Sequence, residues 1–240
     1  MFARGMRGRL VRLPEAAGND SGLTGPQREN GGPPLRLAVI GDSLAAGVGA
    51  ASHDEALSGQ LARTLTAMTG RPVSWRVSAK AGATMPVVRR GLLPGLTDPT
   101  TRWRPDLVLV AAGSNDALRM RRPRAFRHDV ERLIRDVRLR LGEDVPMVFA
   151  GLPPMTRVAA LPRPARGPLD VYVRLLDRQL RTVARRTPAV FHLPTGGPPA
   201  IAGEWFAADR LHPSPDGYRV WARELAVGLA TLTEARPAPA

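Results

Sequence analysis

Three short segments, far apart in the chain, carry the residue types that acyl transfer needs. They are Gly41-Asp42-Ser43-Leu44, Gly113-Ser114-Asn115-Asp116 and Asp209-Arg210-Leu211-His212-Pro213. They supply a hydroxyl, a side-chain amide, and an imidazole close to a carboxylate. Each follows an apolar run typical of a buried parallel strand or its extension. In an α/β sheet all three would therefore meet at the carboxyl ends of the strands.

Ser43 is the candidate nucleophile, because a serine hydroxyl becomes reactive at neutral pH when a base takes its proton. His212 is the candidate base, and Pro213 with a helix cap at Ser214 would fix its backbone. Asp209 could accept from Nδ1 of that imidazole and so select the tautomer whose Nε2 takes the serine proton. The competing interpretations are a turn serine and a surface Asp-His pair.

Two further groups could face the carbonyl oxygen of a bound ester. The Asn115 amide follows a buried strand, and the backbone N–H groups of Gly82 and Ser43 would complete an oxyanion hole with three donors. Glycine at position 82 would allow close approach of the substrate, although Gly82 and Asn115 also suit ordinary turns. Trp205 and Phe206, just before Asp209, could line an acyl pocket or belong to the core.

The elements that must position these residues follow from the hydrophobic pattern. Strand-like runs alternate with stripes of helical period, which indicates right-handed crossovers, a mostly parallel five-stranded sheet and helices on both of its faces. The runs cover residues 37–40, 73–78, 107–112, 145–150 and 189–193. The helical stripes cover residues 57–68, 126–141, 173–183 and 220–229.

The chain of 240 residues suits one domain with a sizeable core. Residues 1–34 combine glycine, proline, arginine and polar residues without sustained periodicity, so we expect this extension to be disordered or loosely attached. Residues 35–232 should form the single folded domain. Residues 233–240 should form a flexible C-terminal tail.

Composition excludes several classes of site. The chain has no cysteine, and its histidines, at positions 53, 128, 192 and 212, lack the spacing of metal ligands, so we expect neither a metal nor another cofactor. The first three histidines should be surface or helix-capping residues. No apolar run approaches the ~20 residues of a membrane span, and the N-terminus lacks the hydrophobic region of a signal peptide. These features predict a cytoplasmic protein.

The net charge of +14 comes almost entirely from arginine, since Lys80 is the only lysine. A polyanion could therefore be a partner. The arginines are nevertheless spread through every segment, and aromatic residues for base stacking are few, so we do not expect nucleic-acid binding to be the main function. Peripheral contact with anionic lipid stays open. Nothing in the sequence indicates the oligomeric state.

The three segments resemble the motifs of the SGNH hydrolases, also called GDSL lipases or esterases, over residues 35–232. The resemblance implies a three-layer α/β/α, flavodoxin-like fold. It also implies that Ser43 is the nucleophile, that Gly82 and Asn115 are oxyanion donors together with Ser43, and that Asp209 orients the base His212. In two departures, Ile40 stands where the family often has an aromatic residue, and Arg210 stands where it often has glycine.

The expected function is cofactor-independent hydrolysis of a small ester or acylated substrate. An acyl-enzyme would form on Ser43, and water activated at His212 would release the acyl group. The alternative is a non-catalytic module on the same scaffold that binds anionic lipid or nucleic acid through arginine-rich surfaces. The presence of every reacting group favours the enzyme.

Overall fold

The protein folds around one six-stranded sheet in a computed structural model that describes residues 12–26, 33–196 and 203–234. The strands are β1 Ser21–Thr24, β2 Leu35–Gly41, β3 Val73–Ala79, β4 Leu107–Ala111, β5 Met147–Ala150 and β6 Val190–Leu193. The helices are α1 Leu57–Thr69, α2 Met85–Val87, α3 Ser114–Leu118, α4 Pro123–Leu141, α5 Arg163–Ala184 and α6 Pro215–Glu234.

The strand order is β1-β3-β2-β4-β5-β6, and every pair except β1 with β3 is parallel. Val39 in β2 lies between Val77 of β3 and Leu109 of β4, so the middle of the sheet is a row of buried aliphatic residues. The chain winds first to one side of β2 and then to the other. In such doubly wound sheets the binding crevice opens at this switch point, here beyond the ends of β2 and β4.

Two layers of helices cover the sheet, as the alternation along the central strands requires. Leu37 and Val39 of β2 face α1 and α6, whereas Ala38 and Ile40 face the layer of α4 and α5. Short helical turns between residues 85 and 96 complete the second layer. The expected three-layer α/β/α architecture is therefore confirmed.

The sheet has one strand more than the five expected, because β1 pairs antiparallel with the outer edge of β3. This strand, Ser-Gly-Leu-Thr, lacks an apolar alternation, and it forms because its backbone satisfies the unpaired edge of β3. Gly22 lies against the Trp75 ring, where an added Cβ would approach to 2.6 Å. The expected disorder of residues 1–34 is thus wrong for residues 12–26. Residues 1–11, 27–32 and 235–240 lie outside the described part.

The two longest helices are α5, with 22 residues, and α6, with 20 residues. Both are amphipathic and carry charged residues on the face away from the sheet. Within the described part of the chain, no helix is long and apolar enough to cross a membrane.

Candidate active site

Ser43, His212 and Asp209 form a continuous chain of hydrogen bonds at the carboxyl ends of the strands. The Ser43 Oγ lies 2.9 Å from Nε2 of His212, although the two residues are 169 positions apart. Nδ1 of the same ring lies 2.6 Å from Oδ2 of Asp209. The Asp209 carboxylate is only 3% exposed and the imidazole 17% exposed, while Ser43 is half-buried. Ser43 and the imidazole are therefore partly exposed, whereas the carboxylate is shielded from solvent.

The loop after Ser43 is locked against the loop that carries His212. The buried Tyr218 in α6 donates its hydroxyl to the carbonyl of Val48 at 2.8 Å. Gly49 has φ +101°, and an added Cβ would lie 2.3 Å from the carbonyl oxygen of Pro213. Only glycine permits this approach. These contacts hold the loop after Ser43 against the loop that carries His212. In this arrangement the Ser43 hydroxyl contacts the His212 ring.

Asp209 also organises the turn on which His212 sits. Its Oδ1 accepts from the backbone N–H of Leu211 at 2.9 Å and of His212 at 3.0 Å. Burial raises the pKa of Asp209, but hydrogen bonds from the His212 side chain and from these N–H groups outweigh it and hold that pKa below its ordinary value. Asp209 therefore stays ionised and can orient and stabilise a charged imidazole.

Arg210 has φ +57°, in the left-handed region that favours glycine. This conformation explains why glycine suits the position. The backbone N–H of Arg210 donates to Ala207 at 2.8 Å, and its carbonyl accepts from Ala160 at 3.0 Å. Both Asp209 oxygens accept hydrogen bonds from other groups, namely the backbone N–H groups of Leu211 and His212 and the His212 ring.

Asn115, in the first turn of α3, contacts Asp42 next to Ser43, because the segments that follow β2 and β4 touch each other. An added Cβ on Gly41 would lie 2.0 Å from the Ala111 carbonyl oxygen, and the Asp42 N–H donates to that oxygen at 3.0 Å. The Asn115 Nδ2 donates to Oδ2 of the fully buried Asp42 at 3.3 Å. An amide nitrogen carries two protons, so one can orient the side chain while the other serves a ligand.

Gly82 lies at the tip of the turn between β3 and α2, on the same edge of the sheet. It has φ +78°, a backbone conformation that favours glycine, and an added Cβ would meet nothing within 4 Å. The turn is closed by a hydrogen bond from Ala83 N–H to the Lys80 carbonyl at 3.0 Å. The Arg119 guanidinium donates to the Gly82 carbonyl at 3.2 Å.

Asp116, in α3 next to Asn115, connects this helix to the segment after the Gly82 turn, and the sequence analysis assigned it no role. Its Oδ2 accepts from the backbone N–H of Met85 at 2.9 Å. Its Oδ1 is buried and has no hydrogen-bond partner among the described residues. Burial is the main cause that raises the pKa of Asp116 to about 6. A signal was available, since the aspartate directly follows Asn115 after a buried strand.

Trp205 and Phe206 lie next to each other on the chain before Asp209, with their rings edge to face and 5.5 Å between the centroids. Trp205 is 7% exposed and packs in the core with α1 and α6, so the structure shows the core role for this residue. Phe206 is only partly buried against the same core. An acyl-pocket role remains a prediction, and Phe206 is the better placed of the two.

No group of three or more His, Asp or Glu side chains in the described part has the arrangement of a metal site. The groups assembled at this edge of the sheet are instead a hydroxyl, an imidazole, a carboxylate, an amide and a glycine turn. A hydroxyl in contact with an imidazole that a carboxylate orients can be activated as a nucleophile, and amide donors can stabilise an oxyanion.

Residues 39–220 match the family model of the GDSL-like lipases and acylhydrolases. The chain belongs to this family. The resemblance noted in its sequence is thereby confirmed. The segment Gly41-Asp42-Ser43-Leu44 reads GDSL in one-letter code, and it begins at the last residue of β2.

One relative resembles this GDSL protein in sequence, and two solved structures resemble it in fold. A GDSL-like esterase of Mycobacterium tuberculosis is 29% identical over 215 aligned residues. The match covers 83% of this chain and 63% of that relative, so the chain spans less than two thirds of the length of the relative. The lipase/acylhydrolase of Enterococcus faecalis has a TM-score of 0.59 at 20% identity and covers 85% of this chain and 99% of its own. A family 3 carbohydrate esterase of Clostridium thermocellum has a TM-score of 0.61 at 17% identity. The superposition covers 83% of this chain and 98% of the esterase.

Proposed function

We propose that the protein hydrolyses carboxylic esters through an acyl-enzyme formed on Ser43. The observation that carries the proposal is the unbroken chain from the half-buried Ser43 hydroxyl through His212 to the buried Asp209. Family membership supports the same class of reaction. The substrate is a small ester or another acylated molecule.

In the acylation step, His212 takes the proton of Ser43 at Nε2 while Oγ attacks the ester carbonyl. The bond from Oγ to the acyl carbon forms, and the bond from that carbon to the alcohol oxygen then breaks. The alcohol leaves with the proton that His212 returns. Asp209 holds Nδ1 protonated throughout, because it accepts from that nitrogen at 2.6 Å.

Charge that develops on the carbonyl oxygen needs donors fixed in advance. Asn115 supplies its second amide proton, since the first donates to Asp42. The backbone N–H groups of Gly82 and Ser43 supply two more. Ser43 and Gly82 lie on turns after β2 and β3, and Asn115 lies in the first turn of α3 after β4, all at one edge of the sheet.

Deacylation repeats these steps with water. His212 accepts a proton from water at Nε2, the water oxygen bonds to the acyl carbon, and the bond to Ser43 Oγ breaks as the serine regains its proton. The products are a carboxylic acid and free enzyme. No cofactor is needed to balance this reaction.

Turnover of p-nitrophenyl acetate and p-nitrophenyl butyrate tests the proposal. Wild type should release p-nitrophenol, and Ser43→Ala should lose the activity. Ser21→Ala, which removes a hydroxyl from the distant strand β1, is the matched control and should keep it. Equal and negligible turnover by wild type and Ser43→Ala across several acyl lengths would reject the hydrolase. Acyl-length dependence of kcat/KM in wild type would then define the acyl group.

A further inference from the structure

Residues 12–26, which we call the N-terminal strap, cross the loops that carry two of the proposed oxyanion donors. We propose that Glu15 on this strap is a positioning residue for the oxyanion hole. Its carboxylate accepts from the Ala81 backbone N–H at 2.6 Å, directly beside Gly82. The inference rests on the proposed function, since Glu15 would hold in place the Gly82 N–H that donates to the oxyanion in that reaction.

The strap lies along the loop that follows Ser43. The Ala16 N–H donates to the Ala46 carbonyl at 2.9 Å, and the Ala17 N–H donates to the Ala51 carbonyl at 3.0 Å. An added Cβ on Gly47 would lie 2.7 Å from the Cβ of Ala16, so the two backbones are in close contact. The strap residue next to Glu15 is therefore held by backbone bonds that do not involve the carboxylate.

The other end of the strap is anchored to the sheet. Its strand β1 pairs with β3, and the Asp20 carbonyl accepts from Val77 N–H at 2.7 Å. The Thr24 carbonyl accepts from the Thr66 hydroxyl of α1 at 3.3 Å. Since both ends are fixed by backbone groups, loss of the Glu15 side chain should leave the strap in place.

In the turn at residues 80–83, every backbone N–H except the proposed oxyanion donor, Gly82 N–H, donates a hydrogen bond. Lys80 N–H donates to the Gly41 carbonyl at 3.2 Å, and Ala83 N–H donates to Lys80 at 3.0 Å. Ala81 N–H is taken by Glu15. Among the described residues, Gly82 N–H alone in this turn has no acceptor, and a Cβ added at Gly82 would meet nothing within 4 Å.

The orientation of the peptide that contains Gly82 N–H depends on the orientation of the preceding peptide, which contains Ala81 N–H. Glycine at φ +78° accepts several backbone conformations at similar energy, so the direction of this N–H is weakly determined by the turn itself. The preceding peptide shares the Cα of Ala81. A charge-assisted hydrogen bond to Glu15 fixes that peptide and so narrows the directions that Gly82 N–H can take.

Four proteins test this assignment: wild type, Glu15→Ala, Glu15→Gln and the matched control Asp20→Ala. Asp20 is an exposed acid on the same strap that contacts β3 through its carbonyl. With p-nitrophenyl butyrate, Glu15→Ala should lower kcat by about 5- to 30-fold, less than the about 10²- to 10³-fold loss expected when a donor is removed outright, with little change in KM. Glu15→Gln, which keeps an acceptor oxygen, should recover most of kcat.

The rate at which a fluorophosphonate labels Ser43 should fall in parallel, because its phosphoryl oxygen needs the same donors. Unchanged kcat in Glu15→Ala, an equal loss in Asp20→Ala, or a change confined to KM would overturn the positioning role. Wild-type turnover that depends on Ser43 would leave the proposed function intact in each of these cases. Absent turnover in wild type would instead reject the proposed function, and this inference with it. Thermal unfolding of each variant separates a loss of fold from a loss of positioning.

Discussion

The Asn115 amide is tethered to the carboxylate of Asp42, with 3.3 Å between Nδ2 and Oδ2. Asp42 is fully buried directly before Ser43, and it also accepts from Leu44 N–H at 3.1 Å. Burial raises the pKa of Asp42 to about 6, while the hydrogen bonds from Leu44 and Asn115 and the nearby His212 oppose that rise. One buried acid thus connects the turn of the candidate nucleophile to the helix α3 that carries a candidate oxyanion donor.

Asn115→Ala should lower kcat by about 10²- to 10³-fold, because it removes one oxyanion donor. Steady-state kinetics on p-nitrophenyl butyrate, with thermal unfolding as the check on folding, measure this loss. A kcat within a few-fold of wild type would remove Asn115 from the oxyanion hole.

Asp42→Asn should also reduce kcat, because asparagine has one acceptor oxygen whereas Asp42 uses two, Oδ1 for Leu44 N–H and Oδ2 for Asn115. If Asp42 acts through Asn115, the two losses should not add, and Asp42→Asn should change kcat little in the Asn115→Ala background. A double-mutant cycle on kcat measures the coupling. Fully additive losses would mean that Asp42 supports Ser43 by another route.

Asp209→Asn should keep the fold and lose kcat by less than Ser43→Ala does. The substitution disturbs the imidazole tautomer and removes the charge beside it, but it leaves the hydroxyl and the oxyanion donors in place. Comparing kcat of the two variants with that of wild type checks the order. An unchanged kcat in Asp209→Asn would assign the orienting role elsewhere.

The stability effect of Asp116→Asn should depend on pH. The raised pKa, about 6 against an unfolded value of 3.8, means that the folded protein binds this proton more tightly than the unfolded chain does. The protonated Asp116 side chain therefore contributes to the free energy of unfolding below pH 4. This contribution is lost as the pH rises through about 6. The free energy of unfolding of the variant, relative to wild type, should therefore increase by up to about 3 kcal/mol between pH 4 and pH 8.

Urea unfolding of wild type and Asp116→Asn at about pH 4 and about pH 8 measures this change. Effects of the substitution that do not depend on pH cancel between the two pH values. A difference that stays constant with pH would show that Asp116 does not titrate in this window. The opposite sign would show that its carboxylate is stabilised by the fold.

The backbone conformation of Arg210 predicts a difference between two substitutions that both remove the guanidinium. Arg210→Gly relieves the left-handed conformation at φ +57°, whereas Arg210→Ala retains it. The glycine variant should be more stable than the alanine variant by about 1 kcal/mol. Chemical denaturation measures the difference, and equal stabilities would indicate that this turn relaxes without cost.

The candidate site was accessible to sequence reasoning because its key residues directly follow buried strands. Ser43 follows β2 and Asn115 follows β4, so the parallel sheet brings them to one edge without further information. His212 and Asp209 lie three residues apart on one loop, and this spacing suffices for their contact. Local patterns thus predicted the three-layer fold and the meeting of these side chains.

Features that depend on tertiary contacts were missed. Strand β1 has no hydrophobic period of its own, and the burial of Asp42 and Asp116 depends on several elements together. His192 was expected to be a surface or capping residue, yet its side chain is 6% exposed and lies 2.8 Å from Asp177 of the neighbouring helix. His53 is likewise buried, at 8% exposure. These contacts join residues that are far apart in the sequence, so no local sequence pattern predicts them.

Labelling with a fluorophosphonate tests the central claim most directly, because the serine oxygen must attack phosphorus and displace fluoride. Wild type should gain the mass of one phosphonyl group on the peptide that contains Ser43. Ser43→Ala should gain none, and His212→Ala should react far more slowly. An adduct on another residue, or labelling of Ser43→Ala at the wild-type rate, would contradict the assignment of Ser43 as the nucleophile.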